Sequence, residues 1–141
     1  MAGTTPKKTI YPFAEMFEIT CSKVQDEAVD IWEIPAGTMI TLVLAKIKTA
    51  GVGASNLIIG DDDDDNGYIL AGDCVVAVDT VYGDVAEERG VYLTGTTIAT
   101  CQGTHKLYKS AGKTLKIEQS GTQTTAAVVD VFVFGYRYHE D

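Results

Sequence analysis

VVDVFVFGYRY, residues 128–138, is the stretch that decides the fold. With side chains alternating along a strand, Val129, Val131, Val133 and Gly135 fall on one side. Val128, Asp130, Phe132, Phe134 and Tyr136 fall on the other. Both sides are largely apolar, which predicts a central strand covered on both faces. Upstream, THKLYK (104–109) and KTLKIEQS (113–120) read as further strands, set apart by SAGK and SGTQTT. TMITLVLAKIK (38–48) is a long strand entered through the Pro35-Ala36-Gly37 turn, and AVDIWEIP (28–35) precedes it. NLIIG (56–60), GYIL (67–70) and GVYLT (90–94) add shorter strands, and DVAEER (84–89) has room for one helical turn. No amphipathic segment of helix length competes. The expectation is an all-β chain of about eight strands, an antiparallel β-sandwich or jelly roll.

The chain has 141 residues, enough for one domain with its own core. Hydrophobic residues make up 45% and charged residues 22%, an ordinary globular balance. The formal net charge of −9 repels phosphate backbones, so no nucleic-acid partner is expected. The longest apolar run stops at Lys46, too soon for a membrane span. MAGTTPKKT lacks the apolar core of a signal peptide. Cys21, Cys74 and Cys101 are widely spaced and odd in number, which reads as free thiols made in a cytoplasm. Residues 1–8 are read as a flexible N-terminal arm and 9–141 as the sandwich domain. TIYPFAEMFEIT (9–20), broken by Pro12, suits an edge strand or an arm laid on a neighbour.

One bend stands out. Residues 57–73, LIIGDDDDDNGYILAGD, hold five consecutive aspartates between apolar runs. Counting from Asp62, oxygen ligands recur at Asp64, Asn66 and Asp73, with Gly67 on the glycine position of a calcium loop. Against calcium, the flanks read as strands and the last position lacks the usual glutamate. The other reading is a solvated hairpin whose Asn66-Gly67 supplies positive φ angles, with the charge keeping an apolar hairpin soluble and single. Catalysis by exposed, screened aspartates is a poor explanation. AGKT (111–114) is not a phosphate loop, since Leu107 stands where the earlier glycine belongs, and GVGASN lacks the third glycine of a dinucleotide fingerprint. His105 and His139 have no Cys/His set around them. The chain reads as no enzyme and needs no cofactor, calcium apart.

The segment DIWEIPAGTMITLVLAKIKTAGVGASNLIIGDDDDDNGYI (30–69) resembles a recurrent pattern in small structural proteins of tailed bacteriophages. Its marks are the Pro-Ala-Gly-Thr turn, the long strand, and the Ile59-Gly60-Asp61 bend closing on Gly67-Tyr68-Ile69. The valine-rich last strand is similar too. The resemblance spans roughly 55 residues and rests on turns and periodicity; five aspartates in a row depart from the sparser acidic bend. It implies a capsid decoration (cement) protein made in the bacterial host cytoplasm. Such a protein sits on the outer capsid surface, binds the major capsid protein and itself as a trimer, and stabilises the head. A tail, baseplate or head-fibre component is the neighbouring reading. A calcium-dependent carbohydrate-binding module is the reading from another class. Lys7, Lys8, Phe13, Met16 and Phe17 would anchor an arm reaching to Ile19, and Tyr136, Arg137 and Tyr138 a second contact.

Overall fold

The computed structural model describes residues 8–24, 27–52, 55–73, 76–94, 105–121 and 127–140. They build two antiparallel sheets stacked as a sandwich. The strands are β1 (Lys8–Thr20), β2 (Val29–Glu33), β3 (Thr38–Thr49), β4 (Ser55–Asp61), β5 (Ile69–Gly72), β6 (Val81–Tyr82), β7 (Lys106–Tyr108), β8 (Thr114–Gly121) and β9 (Val128–Glu140). The first sheet runs β1-β9-β3-β6, with β7 also paired to β3; the second runs β2-β8-β4-β5. Apart from β4–β5 and β6–β7, consecutive strands lie in different sheets, so the chain winds around one core. Among the described residues no helix is long and apolar enough to cross a membrane.

The core lies between the sheets. Ile40, Val43, Ala45 and Ile47 of β3 and Val129, Val131 and Val133 of β9 face Leu57, Ile59, Leu115 and Ile117 of the second sheet, all fully buried. β-Branched and leucine side chains at alternate positions produce this, since each strand turns one row inward. β3 keeps its apolar rows aligned through a bulge between Ile40 and Leu42. The Pro-Ala-Gly turn before it places Gly37 at φ +81°, where a side chain would be strained. At Gly135 an added Cβ would overlap the carbonyl oxygen of Met39, so glycine permits β9 to lie against the bulged strand.

Two expectations change. GVYLT is not a strand: Val91–Thr94 form a single α-helical turn that buries Tyr92 and Leu93. DVAEER does hold a short helical turn, the 3₁₀ segment Ala86–Glu88. The proposed arm also shortens. β1 begins at Lys8 and pairs with β9 of its own chain from Lys8↔Glu140 to Thr20↔Val128. TIYPFAEMFEIT is therefore an edge strand of the sandwich, with Pro12 tolerated because β1 has a neighbour on one side only. The remainder of the proposed arm, residues 1–7, lies outside the described residues, as do Cys74 and Cys101. Cys21 is a buried cysteine that forms no disulfide among the described residues.

Candidate functional site

The acidic bend is built on its first aspartate. Asp61 ends β4 and turns into the sandwich, where its side chain is fully buried. Lys106 Nζ lies 2.5 Å from Oδ2, and Tyr108 Oη donates to the same oxygen at 2.6 Å. Tyr92 Oη donates to Oδ1 at 2.7 Å, joined by the backbone amides of Asp63 and Asp64 at 2.9 and 3.1 Å. Tyr68 Oη and Tyr108 Oη are 2.6 Å apart. With the Tyr108 hydrogen committed to Asp61, Tyr68 is the donor in that pair. Lys106 Nζ also sits 4.0 Å over the Tyr92 ring centre. One buried carboxylate thus satisfies a lysine, two tyrosines and two amides.

The electrostatics follow from this geometry. Burial alone would raise the Asp61 carboxyl, but the hydrogen bonds from Lys106, Tyr108 and Tyr92 and from the Asp63 amide outweigh it and hold the group below the usual carboxylate range. Burial, and the hydrogen bond to the Asp61 charge, push Tyr92 and Tyr108 well above the ordinary phenol value. Burial raises Tyr68 likewise, its bond to Tyr108 pulling the other way.

The next aspartates face lysines. Asp62 accepts from the Thr114 amide at 2.9 Å and lies 3.2 Å from Lys116 Nζ; Lys116 also reaches Asp30. Asp63 meets Lys113 at 2.7 Å and Lys106 at 3.2 Å. Asp64 Oδ1 accepts the Asn66 amide at 3.2 Å, while Asp65 is exposed. The bend is therefore a clasp between the β4–β5 hairpin and the strands β7 and β8. Lys113 and Thr114 of the AGKT stretch are half of that clasp.

This corrects both readings of the bend. The four proposed calcium ligands Asp62, Asp64, Asn66 and Asp73 do not converge. Leu57 pairs with Gly72, so Asp73 lies beside the start of β4, bonded to Ser55 Oγ at 2.8 Å. That is the far end of a strand about 20 Å long from Asp62. A calcium loop must fold back on itself, whereas a hairpin holds its ends apart. Among the described residues no group of three or more His, Cys, Asp or Glu is placed to hold a metal ion. The Asn-Gly hairpin fails too, because neither Asn66 nor Gly67 has positive φ. Gly67 is needed for a different reason: a Cβ there would run into the Tyr92 ring. Gly60 is needed because a Cβ would overlap the Asp64 carbonyl.

The proposed interface residues separate onto two faces. Phe13 and Phe17 turn inward, each with its ring centre 5.9 Å from that of Trp32. Arg137 joins them, its guanidinium 5.0 Å from the Phe13 ring centre. These three close the edge of the core. Met16, Tyr136 and Tyr138 lie on the outer face with Phe132 and Phe134, as strand alternation requires. Lys7 lies outside the described residues, as does the Lys8 side chain.

That outer face is apolar across three strands. Its rows are Pro12–Tyr136–Met39, Ala14–Phe134–Leu42 and Met16–Phe132–Leu44, read from β1 through β9 to β3. The half-buried hydrophobic residues packed on the core include Phe13, Phe17, Ile19 and Trp32 but none from these rows. The second covering layer expected for residues 128–138 is thus absent from the described part of this chain.

No family model matches the sequence, and no curated protein is similar to it. Solved structures are. A chain in the acid-stable capsid structure of Helicobacter pylori bacteriophage KHP30 superposes with a TM-score of 0.54, covering 96% of this chain and 100% of that one at 9% identity. A chain in the capsid asymmetric unit of cyanophage Pam1 gives a TM-score of 0.51, covering 97% of this chain and 89% of that one at 15% identity. The chain shares its fold with chains of two bacteriophage capsids. The β-sandwich implied by the resemblance to small phage structural proteins is the fold observed.

Proposed function

We propose that this protein is a bacteriophage virion structural component, in its most specific form a decoration protein bound to the major capsid protein on the outer surface of the head. The observation that carries the reading is the full-length likeness of fold to chains in two phage capsid structures. We read the order β1-β9-β3-β6 over β2-β8-β4-β5 as a jelly roll, the winding expected of such proteins.

The geometry supports a structural, non-catalytic role. Asp61 is the only Asp or Glu among the described residues that is buried as a whole. It is enclosed by its donors and open to no substrate, so its chemistry goes into joining the two sheets. The net charge of −9 suits a protein outside the shell, away from packaged DNA. Lys7 and Lys8 would contact a capsid neighbour, and avidity on a lattice would multiply weak contacts. A tail, baseplate or head-fibre position is the neighbouring assignment. A calcium-dependent sugar-binding module is not favoured, since its ligand set does not assemble.

Mass spectrometry of gradient-purified virions tests the reading. About one copy per major capsid subunit is the expected result for a decoration layer. A much lower ratio moves the protein to the tail or a fibre, and absence from virions overturns the virion role.

A further inference from the structure

We propose that the outer face of the first sheet is a self-association surface, on which two copies of this chain pack face to face about a two-fold axis running along β9. The face is too apolar to stand alone. Ile10 is 63% exposed and Met16 59%, and they adjoin Tyr136, Phe134, Phe132, Leu44 and Met39 without interruption. The three strands β1, β9 and β3, the longest of 13 residues, give a plane of roughly 14 by 43 Å at ordinary strand spacing and rise. That footprint, roughly 600 Å² a side, falls at the lower end of the range for stable protein–protein contacts.

The charges name the occupant. At the end of the apolar rows, Glu18 on β1, Asp130 on β9 and Lys46 on β3 form one row, with Lys48 beside it in contact with Glu18. A two-fold axis along β9 exchanges β1 for β3 while keeping each row in place. Glu18 of one copy then faces Lys46 of the other, twice; Lys46 also lies 3.2 Å from Asp79 of its own chain, so each copy brings three acids and two lysines to this end of the face. Asp130 Oδ1, buried and without a hydrogen-bond partner among the described residues, meets its own copy across this axis, with Lys46 and Lys48 of both copies on either side to offset the two charges. Shape follows the same exchange: the small Pro12 and Ala14 of one copy meet the large Met39 and Leu42 of the other. A self-complementary patch of this kind is the mark of an isologous contact. Aligned sheet-on-sheet packing is its natural geometry. Two copies, in place of the trimer implied by the resemblance, satisfy it.

Sedimentation equilibrium of the full chain tests the proposal independently of any role on a particle, so failure to bind capsids leaves it standing. The wild type is expected at twice the chain mass. Met16→Lys and Leu44→Glu should each weaken the pair by about 100-fold, because each buries an unpaired charge. Combined in one chain they should restore much of the association, since each lysine then faces the partner's glutamate. Far-UV circular dichroism establishes that the variants fold. A second readout needs no variant: oxidation of Met16 by peroxide should slow as protein concentration rises through the dissociation constant. A wild-type monomer, a trimer, a dimer unmoved by both single variants, or Met16 oxidation independent of concentration each overturns the proposal.

Discussion

Tyr108 on β7 and Asp61 at the end of β4 belong to opposite sheets, yet the tyrosine hydroxyl lies 2.6 Å from the carboxylate inside the sandwich. Through that contact the first aspartate of the acidic run becomes a structural bolt. Asp61→Asn should destabilise the fold by about 3 kcal/mol, because it takes the nearer counter-ion from Lys106, leaving only Asp63 at 3.2 Å, and removes the charge that Tyr92 and Tyr108 bond to. Urea denaturation followed by circular dichroism measures this. A loss below 1 kcal/mol would show that the bolt carries little.

The carboxyl of Asp61 is held below its ordinary value in the folded chain, so its contribution is lost on acidification. The unfolded group titrates near pH 3.9. Stability is then present in full above that region and falls as the pH drops through it toward the lower folded value. Melting temperature should be level down to about pH 5 and decline below about pH 4. In Asp61→Asn the decline should be shallower; an identical profile would assign it to other carboxylates.

Tyr68, Tyr92 and Tyr108 are raised in the folded state, so the sign reverses for them. Their contribution is complete below about pH 10, where unfolded tyrosine ionises, and declines at higher pH. Absorbance titration at alkaline pH should find three of the seven tyrosines silent until the chain unfolds. Smooth ionisation of all seven with the fold intact would contradict the network.

Within the tyrosine pair the two hydroxyls are not equal. Tyr68→Phe removes one donor and should cost about 1 kcal/mol. Tyr108→Phe takes a hydrogen bond from a charged acceptor and leaves Tyr68 without its partner, so about 2–3 kcal/mol is expected. Chemical denaturation of the two variants side by side checks the order, and a larger loss in Tyr68→Phe would reverse the assignment of donors.

Trp32 holds the edge strand. Phe13 and Phe17 of β1 and Arg137 of β9 all pack on it, so Trp32→Ala should cost about 3–5 kcal/mol. Amide exchange in β1 should accelerate more than in β3. Uniform acceleration would mean that the strand has no local dependence on this ring.

Alternation along residues 128–138 was enough to establish a central strand, and β-branched runs were enough to place β2, β3, β4, β8 and β9, because side-chain period two is a local property of the chain. GVYLT misled for the opposite reason: its β-forming composition yields to the docking of Tyr92 beside Asp61 and Gly67, contacts made across more than 20 residues of chain. The acidic run was visible as an oddity, and so was AGKT. Their pairing was not, since Lys113 and Asp63 are 50 residues apart and no local pattern links them. Nor did alternation reveal which apolar side of β9 would meet the second sheet. That both sides are apolar is legible in the order of residues 128–138. Tertiary structure alone decided that Val129, Val131 and Val133 are covered while Phe132 and Phe134 lie on the open face, because burial depends on where the second sheet lands and strand period does not.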